Sequence, residues 1–99
     1  MVVGVCRITF SLPGNDSLKG KRSIVKRLVD RTRNKFNAAV AEVDALDVHR
    51  RAVLGVSVVS NDASHANSML DHVTSFMEGL SEAVMTDRTL EIIHVEGEG

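Results

Sequence analysis

No tryptophan or tyrosine occurs in this chain, and its three phenylalanines, Phe10, Phe36 and Phe76, all fall within apolar patterns. A sheet that reads RNA by stacking needs aromatics on its open face, so that mode of binding is excluded. The single cysteine, Cys6, rules out an intramolecular disulfide framework. Its place beside Ile8 and Phe10 reads as a packed small hydrophobe of ordinary reactivity. No apolar run approaches the roughly 20 residues that span a bilayer. The start, MVVGVCRITF, lacks the charged beginning and long apolar stretch of a secretory signal. These shortages predict a cytoplasmic protein with no membrane partner.

Metal and cofactor chemistry is equally thinly supplied. Cys6, His49, His65, His72 and His94 are scattered. His65 and His72, the one helical pair, stand about 10 Å apart along a helix axis, too far to share an ion. No metal and no cofactor are therefore expected. A pairing of Cys6 with His94 across the first and last strands is sterically conceivable. The segment Gly14 to Arg22, GNDSLKGKR, comes close to a phosphate-binding loop, in which glycines free the backbone to wrap phosphate and a lysine followed by a hydroxyl completes the site. Five residues separate its glycines instead of four, and Arg22 follows Lys21 where the hydroxyl belongs. Nucleotide hydrolysis is not expected on that pattern. A weaker expectation stands, a single anion held at a helix start by Ser17, Lys19, Lys21 and Arg22.

What the chain has is a charge division. Its net charge is −1, yet Met1 to Arg51 holds eleven Lys or Arg against five acids, and Ala52 to Gly99 one against eight. Eight of the twelve basic residues lie between Ser17 and Phe36 with a single acid, Asp30. Asymmetry of this kind points to an anionic partner for the basic half. At 99 residues the chain is one domain with one continuous core, expected over residues 1–95, with 96–99 a flexible tail.

Read in order, Val2 to Leu12 alternates with period two, a half-buried strand with Val2, Cys6, Ile8, Phe10 and Leu12 on one face. Leu12-Pro13-Gly14-Asn15 carries the chemistry of a type II turn, and Asp16-Ser17 offers helix-capping oxygens. Leu18, Val25, Leu28, Val29, Thr32 and Phe36 then share one side of a helix, with Ile24 at the margin. Lys19, Arg22, Lys26 and Arg33 fall together on the far side, flanked by Arg27 and Arg31. Gly20 in the first turn costs up to about 1 kcal/mol relative to alanine, so fraying is expected there. Ala38–Ala45 and Arg51–Ser60 read as a hairpin. Glu42 and Asp44, two residues apart on one strand face, suit a charged edge strand better than a carboxylate pair for acid–base work. After the Ser60-Asn61-Asp62 cap, Ala63 to Leu80 recurs at helical spacing, with Gly79 as a C-cap. Glu82 to Val95 is a last strand broken near Thr86-Asp87-Arg88.

Strand, helix, strand, strand, helix, strand with right-handed crossovers gives an α+β domain, the ferredoxin-like βαββαβ sandwich. Its four-stranded antiparallel sheet has both helices on one face and the first and third strands inside. Acyl-phosphate hydrolases on this fold hold phosphate with an arginine in the loop after the first strand; Leu12 to Asp16 has none. No enzyme is indicated. Two surfaces remain. Lys19, Arg22, Lys26, Arg27 and Arg33 form a basic helix face suited to the phosphates of structured RNA or a ribosomal particle. Val3, Val5, Val53 and Val59 form an apolar patch on the open sheet face, suited to a homodimer or a ligand-sensing interaction module.

The words SLKGKRSIVKRLVDRTRNKFNAAVAEVD and RAVLGVSVVSND, with the VVGV start, resemble the YlxP-like family of small bacterial proteins, a domain of unknown function, from Met1 to about Leu80. The resemblance implies a ferredoxin-like fold. Because members are often encoded beside translation initiation and ribosome-maturation factors, it also implies RNA or ribosome work. It brings no catalytic residue. The chain departs at Gly20, where the family commonly has an acid that would complete a capping box with Ser17, and at His49, where it commonly has an aromatic.

Overall fold

The computed structural model describes residues 1–80 and 82–97. The elements are β1 (Val2–Ser11), α1 (Leu18–Lys35), β2 (Ala39–Asp44), β3 (Arg51–Ser60), α2 (Ala63–Glu78) and β4 (Val84–His94). They form one sheet in the order β2-β3-β1-β4, every neighbouring pair antiparallel. The ferredoxin-like arrangement is the one that the alternation and crossovers predict. Of the expected tail, Glu96 and Gly97 carry no regular structure and residues 98–99 lie outside the described residues.

Alternation in β1 produces the core directly. Cys6, Ile8, Phe10 and Leu12 are buried on the helix side, against Leu54, Val56 and Val58 of β3 and Leu70, Val73 and Met77 of α2. α1 lies over β2, and α2 over β1, β3 and β4. Gly4 makes room for that packing. A Cβ there would sit 2.9 Å from Leu70 Cδ1 and 3.2 Å from Val58 Cγ2, so an added methyl group has to displace the buried Leu70 side chain. The far ends of the helices meet through Phe36 and Phe76, edge to face at 5.6 Å between centroids, with Lys35 Nζ 5.1 Å from the Phe76 ring. Thr32 and Thr74, buried on the core stripes, are satisfied by donating to the carbonyls of Leu28 and Leu70 one turn back.

The turns follow their residue types. Asn15 N donates to Leu12 O at 3.2 Å and Gly14 takes φ 83°, the type II turn predicted for Pro13-Gly14. Ser17 caps α1 by accepting from Gly20 N, and Asp62 caps α2 by accepting from His65 N. Gly79 is the C-cap of α2 in right-handed geometry, φ −76°.

Both edge strands carry a bulge. In β2, Glu42 pairs with Leu54 and Asp44 with Val53, so Val43 is the extra residue. In β4, Asp87 pairs with Thr9 and Met85 with Phe10, so Thr86 is the extra residue. Since Thr9 is itself opposite Val53, the two irregularities stand on either side of the Val53–Thr9 level of the sheet. The break expected near Thr86 is therefore a bulge within a continuous strand.

Gly4→Ala should destabilise the fold by about 1–3 kcal/mol through overpacking against Leu70, seen as a lower urea midpoint with an unchanged slope. Wild-type stability in that variant would show that α2 can withdraw freely.

Candidate functional site

The first turn of α1 is fastened to the hairpin that joins β2 to β3. Lys21 lies on the buried stripe with Val25, Leu28 and Thr32, and is 1% exposed. Its ammonium stands 2.9 Å from Glu42 Oε2 and donates to the carbonyls of Ala45 at 2.5 Å and Leu46 at 3.4 Å. The Glu42 contact is an ion pair without hydrogen-bond geometry, and Oε2 has no hydrogen-bond partner among the described residues. Ala45 itself has a left-handed backbone, φ 54°, which costs a non-glycine residue about 1–2 kcal/mol. The Lys21 bond to its carbonyl and the Asp44 Oδ1 bond to its amide, at 2.8 Å, hold it there.

A second fastening replaces the capping box that the sequence lacks. The Asn15 side-chain amide donates to the carbonyls of Ser17 and His49, while Arg50 Nε donates to Asn15 O at 3.2 Å. A Cβ on residue 20 would lie 2.3 Å from Asn15 Oδ1. Gly20 thus makes room for the Asn15 amide, and its own N–H bonds to Ser17 Oγ at 3.0 Å. The frayed start expected for α1 is corrected: this turn is tied down.

Lys21 is a correction as well. The sequence places it with Ser17, Lys19 and Arg22 at an expected anion site, but its charge is inside the protein and spoken for. Charge alone suggested a surface residue; its 4-3-4 spacing with Val25, Leu28 and Thr32 carried the contrary signal. The expected pairing of Glu42 with Asp44 on one face also fails. The Val43 bulge sends Glu42 to the helix side with Lys21 and Asp44 to the open face, where it meets Arg7 at 2.8 Å. Nor does Cys6 pair with His94, since Cys6 is opposite Leu90 and His94 opposite Val2.

The remaining basic residues of α1 are all exposed. Lys26 pairs with Asp30 at 2.8 Å and Arg27 with Glu82 at 2.5 Å. Arg33 donates from Nη2 to Val40 O at 2.8 Å, which aims its guanidinium at the β2 edge. Lys19 and Arg22 form no ion pair among the described residues. With Lys26 they make a stripe along the outer side of the helix. Among the acids of the second half, Asp87 and Glu91 lie on β4, the edge opposite β2, while Glu82 pairs with Arg27 of α1, so the charge division in sequence is only partly one in space.

On the open face Val3 and Val5 are half-buried and Val59 is 63% exposed. Val53 has the register of that face but is 3% exposed. The Arg7–Asp44 ion pair must cross β3 to join β1 to β2, and Val53 lies beneath that crossing. It leaves the set of contact residues. None of the three phenylalanines reaches the open face. The Ala45 amide, and after it the Arg7 guanidinium, hold the Asp44 carboxyl below its ordinary value of 3.8. Among the described residues no helix is long and apolar enough to cross a membrane, and no three His, Cys, Asp or Glu side chains gather as a metal-binding group.

Comparison with known proteins gives a consistent picture of kinship. The family model "Protein of unknown function (DUF503)" matches residues 3–90. The "Uncharacterized protein YlxP" of Bacillus subtilis (strain 168) is 33% identical over 70 residues, 71% of this chain and 76% of that protein. A designed protein with a ferredoxin fold, LFR1 1, known from a solution NMR structure, superposes with a TM-score of 0.58 at 19% identity. That match covers all of this chain and 91% of the other, and bears on fold alone.

Lys21→Ala should lower unfolding free energy by about 3 kcal/mol, because it leaves Glu42 buried in part without its cation; urea unfolding measures it. Glu42→Gln added to Lys21→Ala should recover part of the loss. For Asp44, a depressed carboxylate contributes stability that is complete above its unfolded value and lost as pH falls through the lower folded value. The stability difference between wild type and Asp44→Ala should therefore shrink only below about pH 4. A difference that is flat down to about pH 2 would deny the carboxylate that role.

Proposed function

Since the chain belongs to the DUF503 family of proteins of unknown function, its role has to be read from its own surfaces, and we propose that it is a non-enzymatic cytoplasmic accessory protein binding structured RNA or a ribosomal particle through the outer face of α1. The observation that supports this reading is the stripe of Lys19, Arg22 and Lys26, exposed on one side of a helix whose other side is locked to the sheet. A rigid helix presents its charges at fixed intervals, so the stripe positions phosphates without reading bases. The Lys26–Asp30 pair is exposed on both sides, and pairs of that kind are worth only about 0–1 kcal/mol, so a phosphate can displace the carboxylate. Arg27 is held by Glu82 in the same way. Arg33, directed toward the sheet edge, stands apart from the stripe. Asp87 and Glu91 on β4, at the opposite edge, repel nucleic acid and so bias which side of the molecule approaches it.

The test is fluorescence anisotropy with a structured RNA, and co-sedimentation with ribosomal particles, at a series of salt concentrations. Binding by wild type should weaken with a log–log slope of about −2 to −3, as for three neutralised phosphates. The triple variant Lys19→Glu, Arg22→Glu, Lys26→Glu, all at exposed positions, should remain folded by circular dichroism and lose binding. No association of the wild type at low salt, or undiminished binding by the folded triple variant, overturns the reading.

A further inference from the structure

The sheet face away from the helices is hollow. Ala39, Ala41, Gly55 and Ser57 supply little side chain there, Val5 and Val43 rise beside them, and a groove of about 570 Å³ results. At Gly55 a Cβ would come within 2.9 Å of Val43 Cγ1, so the glycine is what lets Val43 lean over the floor. Beyond the groove an apolar row crosses three strands, Val59, Val3 and Ile93 in register. Val59 is 63% and Ile93 39% exposed. Three charged residues line the groove: Arg7, already paired with Asp44, and on opposite sides Arg33 beside the β2 edge and Glu91 on β4. Neither Arg33 nor Glu91 forms an ion pair among the described residues.

We propose that a second copy of the chain covers this face, related to the first by a two-fold axis running parallel to the strands between β1 and β3. Such an axis keeps every residue at its level along the strands and exchanges the edges, so β2 of one copy lies over β4 of the other. The Val59-Val3-Ile93 row then packs on itself. Ala39, Ser57, Val5 and Glu91 share one level of the sheet, so the partner's Glu91 comes over Ala39, within reach of Arg33. Two unpaired charges thereby become two symmetric ion pairs. Asp44 shares its level with Val53, Thr9 and Asp87, so the partner's Asp87 comes over Asp44, whose charge is balanced by Arg7 of its own copy. Strands of about 33 Å across a width of about 19 Å give about 600 Å² per copy, or about 1,200 Å² in all, which clears the size that stable interfaces need. The association does not rest on the RNA reading, because the outer face of α1 points away from it.

Sedimentation equilibrium of the full chain at micromolar concentration should give twice the 10.7 kDa chain mass. Arg33→Glu alone and Glu91→Arg alone should each weaken dimerisation at least tenfold, roughly, by setting like charges opposite one another. Mixed in equal amounts the two variants should regain an affinity within about threefold of wild type, since every contact then joins opposite charges. Val59→Asp should weaken the dimer and not be rescued by either partner. Circular dichroism establishes folding, and Glu91→Arg with Val59→Asp suffices if Arg33→Glu does not fold. A wild type that remains monomeric overturns the proposal, whether the groove then serves a small ligand or another protein. A dimer that single charge reversals do not weaken, or a mixture that recovers nothing, overturns it equally.

Discussion

A single buried ammonium decides where α1 lies. Lys21 reaches under the helix to a carboxylate on β2 and to two carbonyls of the following turn, and the energetics of that arrangement are one-sided. An intact buried pair gives little net stability over an apolar substitute, whereas a broken one is costly. Its value is therefore in geometry. Sliding the helix by one residue would carry the ammonium away from Glu42 and Ala45 together, so register and rotation of the helix are specified at once. The orientation of the outer stripe and the reach of Arg33 to the sheet edge both follow from that specification.

Charge in this molecule is consequently of two kinds. Lys21, Glu42, Arg7 and Asp44 hold hairpin, helix and sheet together, and their partners are internal. Lys19, Arg22 and Lys26 have no such duty and face water. Glycine divides in a similar way. Gly4 admits a helix on one face of the sheet, and Gly55 opens the hollow on the other, so the absence of two side chains shapes both sides of a four-stranded layer.

Much of the fold was legible in period and punctuation. The alternation from Val2, the Pro13-Gly14 turn, the caps at Ser17 and Asp62 and the order of elements each have one dominant local cause, and each is realised. The misreadings share another origin. Lys21 looked like a surface cation because residue type outweighed its spacing among Val25, Leu28 and Thr32. Glu42 and Asp44 looked like neighbours on one face because a bulge inserts a residue without leaving a mark in composition. Gly20 looked like a weakness because the side chain it accommodates, Asn15, lies across a turn. Val53 has the register of the open face, but its cover comes from Arg7 and Asp44 on two other strands. Where a residue's environment is made by partners distant in sequence, period alone does not reveal it.

The matched bulges at Val43 and Thr86 bear on how the sheet can grow. An edge strand with regular, free backbone groups recruits further strands from neighbouring molecules. Here both outer strands are kinked at adjacent levels, and on β2 the Val40 carbonyl is already taken by Arg33. Strand addition at either side would have to straighten a bulge and, on β2, to displace a guanidinium. The sheet is in effect finished at four strands, and its flat side is the direction left for molecules to meet. With its borders irregular and partly occupied, the sheet offers neighbouring molecules no regular free edge to extend.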